Sequence, residues 1–339
     1  MSKHGIFYVR FVKLYCLSNK KAALHNLGCK VNAYETEAMQ QILENAGYEI
    51  VPFTEYADVY VVNTCSVTNM ADRKSRQMLH KAKKMNPDAI VVGAGCYVQT
   101  KEAQALVDES IDIVIGNNKK HELLAMLEAY ENDHGKCGNV IDINHEKQEY
   151  EEMFLERTAE HTRAFIKVQD GCNQFCTYCI IPSLRGNYRS VPMERLLKEA
   201  NELADQGVRE LILVAQETTL YGVDLYGKKM LPELLHKLAE IPGIYWIRIQ
   251  YCYPEEITDE LIEAIRTEEK VCHYLDVPIQ HASDRILKRM GRRTNQAQLR
   301  EIIGKLRAAV PDIALRTTMI SGFPGETQED HEEVMRFVD

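Results

Sequence analysis

Between residues 21 and 130, short strand-like runs, most of them rich in β-branched residues, alternate with longer segments whose apolar positions recur every three to four residues. The runs at 22–27, 59–63, 90–93 and 111–115 predict strands. The segments 35–46, 70–85, one near 101–107 and 119–130 predict helices, with Asn86-Pro87-Asp88 and Ala46-Gly47-Tyr48 as breakers between units. This rhythm predicts an α/β domain with a mostly parallel sheet. Residues 131–161 carry no sustained apolar period and predict a polar linker with one weak strand at 140–143. A second series follows, with strands predicted at 164–168, 210–214, 245–250, 274–277 and 313–319. Its helices are predicted at 193–206, 231–239, 259–266, 296–309 and from 328 onward. Repeated strand-helix units of this kind predict a partial β/α barrel over 162–339.

Five such units fall short of a closed eight-strand barrel, and the last helix still has its amphipathic rhythm at Asp339, so the barrel is expected to be truncated. Residues 1–20 read as an N-terminal extension. Their apolar stretch is interrupted by Arg10 and Lys13 and is too short to span a membrane. At 339 residues the chain holds about two domains. Its 41 basic against 50 acidic residues give a net charge of −9, so no bulk positive field draws it to nucleic acid. Ten cysteines without a secretory signal predict a cytoplasmic protein that uses thiols for metal or redox chemistry.

Cys172, Cys176 and Cys179 lie in Gly171-Cys172-Asn173-Gln174-Phe175-Cys176-Thr177-Tyr178-Cys179, directly after the first predicted barrel strand. Three thiolates on one tight loop suit a 4Fe-4S cubane whose fourth iron stays open to a ligand. Structural zinc is the alternative, but closed zinc sites take four ligands and this loop offers three. Cys29, Cys65 and Cys96 are separated by 36 and 31 residues, about one strand-helix-strand unit each, and each follows a predicted parallel strand. They are expected to meet at one sheet edge and to hold a second 4Fe-4S cluster, the alternative being three unrelated buried cysteines. Cys16, Cys137, Cys252 and Cys272 share no spacing and read as structural.

The second triplet, with an aromatic before its last cysteine, resembles the signature of radical S-adenosylmethionine enzymes. The resemblance implies that S-adenosyl-L-methionine binds the open iron and is reduced there to a 5′-deoxyadenosyl radical. Tyr178, Gln216, Glu217, Gln250 and Gln280, on the cysteine loop or at predicted strand ends, are the candidates to touch this cofactor. Ordinary capping and turn chemistry is the alternative for each strand-end group. His281 and residues 321–326 fall at similar positions.

Both triplets together resemble the radical methylthiotransferases, which insert sulfur into an unactivated C–H bond. Over 22–182, Leu27-Gly28-Cys29-Lys30-Val31-Asn32 and Asn63-Thr64-Cys65-Ser66-Val67-Thr68-Asn69 are similar to the branch acting on threonylcarbamoyladenosine beside the tRNA anticodon. Over 183–339, Ala215-Gln216-Glu217-Thr218-Thr219-Leu220-Tyr221-Gly222 and Asp276-Val277-Pro278-Ile279-Gln280-His281 are similar to the branch modifying an aspartate of a small-subunit ribosomal protein. The resemblance implies two clusters, S-adenosyl-L-methionine, and an electron donor such as flavodoxin or ferredoxin. Both branches end in a small β-barrel substrate domain that this sequence does not reach. The first-half motifs make tRNA the expected substrate, at carbon 2 of the modified adenine. The ribosomal-protein aspartate, at its β carbon, is the alternative, and an inactive fragment or a non-catalytic iron-sulfur protein is a third reading. Local charge for RNA is expected from Arg73, Lys74, Arg76, Lys81, Lys83 and Lys84, from Lys288, Arg289, Arg292 and Arg293, or from Arg185 to Arg189, each also readable as a solvated face or loop.

Overall fold

A computed structural model describes residues 20–143, 149–158 and 162–339. The expected extension, apart from Lys20, lies outside the described residues, as do Cys16 and parts of the expected linker. The first sheet comprises β1 (Lys21–Asn26), β2 (Glu49–Ile50), β3 (Val59–Thr64), β4 (Ile90–Gly95), β5 (Ile113–Ile115) and β6 (Cys137–Asn139). Its order is β2-β1-β3-β4-β5-β6, and every pair is parallel. Every residue of β3 is buried, because helices cover both faces, which is why that strand reads as an unbroken run of Val, Tyr, Asn and Thr rather than as an alternation.

A short antiparallel pair, β8 (Gln169–Asp170) with β9 (Arg189–Ser190), follows β7 (Arg163–Lys167). The second sheet adds β10 (Glu210–Val214), β11 (Trp246–Ile249), β12 (Val271–Asp276) and β13 (Ala314–Arg316) in the order β13-β12-β11-β10-β7, all parallel. Consecutive parallel neighbours joined by helices are the arrangement of a partial β/α barrel. Its helices begin where side chains satisfy the free N–H groups. Thr258 accepts from Leu261, and Asn295 and Gln298 form a reciprocal capping box.

Several elements depart from expectation. The first helix spans Lys30–Asn45 and starts five residues early, with Cys29 as its N-cap, so Asn32 and Glu35 project from its first turns. A helix at Cys96–Thr100 continues straight from β4 ahead of the expected one, which spans Glu102–Val107. The weak strand expected at 140–143 is found at Cys137–Asn139 instead, completing the first sheet, while Met153 and Leu155 beyond it are buried in the core. The β8–β9 pair and the helices Ile181–Arg185 and Asp284–Arg289 carry no sequence period long enough to announce them. Among the described residues, no helix is long and apolar enough to cross a membrane.

Candidate active site

β1, β3 and β4 are adjacent, and their carboxyl ends deliver Cys29, Cys65 and Cys96. Side chains from neighbouring elements hold each loop in place. Asn32 donates from Nδ2 to the carbonyls of Leu27 (2.8 Å) and Thr64 (3.0 Å), fastening the loop before Cys29 to the end of β3. The Thr64 hydroxyl donates to the Ala94 carbonyl and accepts from the Tyr97 N–H at 3.1 Å, tying β3 to the turn that carries Cys96. Gly28, at φ +102°, lets the Cys29 loop pass against the Cys65 side chain. Burial raises the Cys29 thiol pKa, opposed chiefly by the Arg185 charge, and burial raises that of Cys65 as well. The three thiols also act on one another electrostatically. They therefore share one corner of the sheet edge.

The second triplet leaves β8 at Gly171, whose φ is +84° and whose missing Cβ would collide with the Asn187 and Gly186 backbones. Backbone bonds pin the loop: the Cys172 N–H donates to the Gly186 carbonyl at 3.1 Å and the Thr177 N–H to the Met290 carbonyl at 3.0 Å. Cys172, Cys176 and Cys179 line one cavity of about 140 Å³ together with Tyr178, Gln216 and Gln280. Burial, with Glu217 and the neighbouring thiols adding to it, pushes Cys172 up to about 12. Larger hollows near Arg300, one of them lined by Val277, Ile279 and Leu315 and the other by helix residues such as Arg285 and Glu333, are lined by none of the six thiols. Among the described residues no three His, Cys, Asp or Glu side chains converge on a point where one metal ion could sit. Each set offers three thiols, one short of the four ligands of a closed zinc site, and three thiolates with one corner left open are a donor set that a 4Fe-4S cube accepts.

The remaining sequence candidates divide. Gln216 accepts from the Gly171 N–H at 2.7 Å through Oε1, which leaves its buried Nε2 without a partner beside the cavity. Gln280 holds a left-handed backbone at φ +71°. Glu217 and Gln250 are buried and are not among the cavity-lining residues. Glu217 accepts from the Thr219 N–H at 2.9 Å, and burial pushes it up to about 8. Cys137, Cys252 and Cys272 are free, and none of them lines the cavity of the second triplet.

Sequence reasoning missed Phe175, Tyr251, Tyr253 and Arg292. Phe175 and Tyr251 join Gln280 in the left-handed region, so three of the five non-glycine residues with positive φ among the described residues line this one cavity. Bulky side chains in that region are strained, and such strain concentrates at functional sites. No sequence signal marks it. Arg292 sits with its guanidinium 3.9 Å from the Tyr253 ring centre, and its side chain is wholly buried, so the basic run at 288–293 does not offer it to RNA. Arg185 and Arg189 are likewise buried in ion pairs and not exposed on a loop. Arg73, Lys74, Arg76, Lys81 and Lys84 are exposed, whereas Lys83 is engaged by Asp112 at 2.9 Å.

The triplets approach each other. Lys30, next to Cys29, lies 5.3 Å from the Tyr251 ring centre, and Tyr251 lines the cavity of the second triplet. Burial and then the Cys29 charge raise Tyr251 to about 12. Residues 166–338 match the model of the Radical SAM superfamily, and 21–116 match that of the Uncharacterized protein family UPF0004. The ribosomal protein uS12 methylthiotransferase RimO of Lachnoclostridium phytofermentans is 48% identical over 320 residues, covering 92% of this chain and 71% of that protein. The chain belongs to the radical S-adenosylmethionine methylthiotransferases. The threonylcarbamoyladenosine tRNA methylthiotransferase MtaB of Bacillus subtilis is 39% identical, over 93% of this chain and 70% of that protein. Among solved structures, the radical S-adenosylmethionine methyltransferase TsrM of Kitasatospora setae aligns with TM-score 0.63 at 15% identity, covering 94% of this chain and 72% of that one. The cobalamin-dependent radical enzyme OxsB aligns with TM-score 0.61 at 12% identity, and this chain spans 52% of its length. These two likenesses concern the fold.

Membership in the superfamily implies a 4Fe-4S cluster and S-adenosyl-L-methionine. The expectation of a tRNA substrate is corrected: the higher identity is to the ribosomal-protein enzyme, along nearly the whole chain. The structural reason is visible in the first-half motifs. Asn32, Asn63 and Thr64 hydrogen-bond to backbone and to one another's loops around the cysteines, so these residues report on the thiol scaffold and carry little information about substrate.

Proposed function

We propose that this methylthiotransferase adds a methylthio group to the β carbon of an aspartate in ribosomal protein uS12. Cys172, Cys176 and Cys179 would hold one 4Fe-4S cluster, and Cys29, Cys65 and Cys96 a second. Tyr178, Gln216 and Gln280 would contact S-adenosyl-L-methionine, with Glu217 and Gln250 supporting them from behind. The cluster and its cofactor supply one-electron chemistry able to break an inert C–H bond, which acid-base side chains cannot do. The chain's own residues form the walls: Gln216 offers a free amide N–H, and Tyr251 and Tyr253 enclose the cavity. An electron donor such as flavodoxin or ferredoxin completes the reading.

The observation that carries this reading is that Tyr251 belongs both to the cavity of the second triplet and to the surroundings of Cys29. A sulfur held at one set would thus lie on the same side of the molecule as a radical made at the other. Mass spectrometry of uS12 and of tRNA nucleosides from a strain lacking and then regaining the gene tests the substrate. Loss and return of the modification on uS12 supports the proposal; a change confined to tRNA refutes it.

A further inference from the structure

Between the two domains lies a group of charges with almost no access to water. Glu35, from the helix after Cys29, accepts from Lys120 (2.9 Å), Lys167 (2.9 Å) and both terminal nitrogens of Arg185 (2.7 and 3.1 Å). Asp170 lies within 2.9 Å of Arg185, 3.5 Å of Lys167 and 3.8 Å of Arg189. All six side chains are at most 8% exposed. Four cations therefore face two anions. Glu151, the next buried acid, also acts on Lys167 and brings the anions to three, while burial pushes Glu199 up to about 8, so it is protonated and neutral at pH 7. The group keeps a positive surplus. A buried charge of one sign without equal compensation is unfavourable for folding alone, which directs attention to what it faces.

It faces the first cysteine set through two amides. Arg185 donates from Nη2 to the Asn32 Oδ1 at 2.7 Å, and that oxygen lies 4.0 Å from the Cys29 sulfur. Lys120 donates to the Asn117 Oδ1 at 2.8 Å, and the Asn117 Nδ2 lies 3.6 Å from the Cys96 sulfur. The Arg185 charge acts on Cys29, Cys65 and Cys96 alike. The same guanidinium grips both halves of the site, because Asn32 is three residues after Cys29 and Asp170 two before Cys172.

We propose that Arg185 is a positioning residue that locks the two cysteine sets into one unit and, with Lys120, supplies the positive field under Cys29, Cys65 and Cys96. This rests on the reading that those three thiols hold a cluster. Net charge and hydrogen bonds near the sulfurs set the potential of such a cluster, and a nearby cation favours the reduced, more negative form. Iron held at this set is accordingly easier to reduce than it would be without the buried surplus.

The test uses the full chain carrying Cys172→Ala, Cys176→Ala and Cys179→Ala, reconstituted anaerobically so that only the first set loads. Iron and sulfide are counted, and the potential is read by absorbance and electron paramagnetic resonance during titration with a chemical reductant. Arg185→Gln and Lys120→Met are each expected to move the potential to more negative values. Arg185→Lys, which keeps the charge and loses the planar fork, is expected to restore it while giving a lower melting temperature. Arg266→Gln, on an exposed helix face, is expected to leave it unchanged. Should Arg185→Gln fail to fold, Lys120→Met reads the same field. Equal potentials in the parent, Arg185→Gln and Lys120→Met, at full iron content, overturn this proposal alone. A parent that takes up no iron overturns the cluster reading as well as the proposal.

Discussion

Gly28→Ala puts the geometry of the first cysteine set to a quantitative test. A Cβ at position 28 would sit 2.8 Å from both the Cβ and the Sγ of Cys65. That is about 0.7 Å inside the ~3.5 Å at which apolar atoms rest against each other. Rotating the thiol relieves only one of the two collisions, so the backbone of one loop must move. The backbone at φ +102° adds its own penalty, about 1–2 kcal/mol for a residue with a side chain. Overpacking adds about 1–3 kcal/mol. Gly207 separates the two contributions: its φ is +97° and nothing lies within 4 Å of its would-be Cβ. In urea unfolding, Gly207→Ala should lose only the backbone part, and Gly28→Ala should lose that and the packing part together. Because the displaced atom belongs to a proposed iron ligand, reconstituted Gly28→Ala should also hold about four irons where the parent holds about eight. Equal unfolding midpoints for the two variants, with full iron in both, would refute the placement of Cys65 against the Gly28 loop.

Other outcomes follow from the buried charges. Glu35→Gln leaves Lys120, Lys167 and Arg185 without their shared anion and should destabilise the chain by about 3–5 kcal/mol in denaturant unfolding, whereas Glu263→Gln on an exposed helix should produce no measurable change. Burial raises Glu199 to about 8 from an ordinary 4.5, so the folded state holds a proton that the unfolded chain releases. That contribution is complete below the unfolded value and is lost as pH rises through about 8, so the parent's Tm should fall more between about pH 6 and about pH 9 than that of Glu199→Gln. A parallel fall in both would show that Glu199 is not the group responsible.

That the thiols of each set come together was legible from their spacing. One is a tight loop, and the other follows from three strands one crossover apart, a regularity that survives small errors in element bounds. Helices such as Gln296–Ala309 and Leu231–Ala239 were legible to the residue, since the apolar period coincides with a capping Asn295 in the first and with a proline in the first turn of the second. The charge group between the domains was not. Glu35, read as the first residue of a helix, looks like an ordinary polar end, and Arg185 and Arg189 read as a loop because the helix at Ile181–Arg185 is a single turn and the partners of Arg185 lie up to 153 residues away. Arg292 was hidden by its neighbours, since a basic run reads as a solvated face although only packing decides which member turns inward. The left-handed backbones of Phe175, Tyr251 and Gln280 arise from contacts distant in sequence, and no local propensity foretells them. The branch of the family was misread because the first-half motifs, which were given the greater weight, hold the thiol loops together, whereas the second-half motifs had pointed to the ribosomal-protein branch.

Two separate sets of three thiols are each expected to bind one cluster. Iron and sulfide counting, with Mössbauer spectra, on the anaerobically reconstituted chain and on triple alanine variants of each set tests it most directly. About eight irons in the parent and about four in either variant are expected if each set holds one cubane. About four irons in the parent, unchanged when Cys29, Cys65 and Cys96 are all replaced, would contradict it.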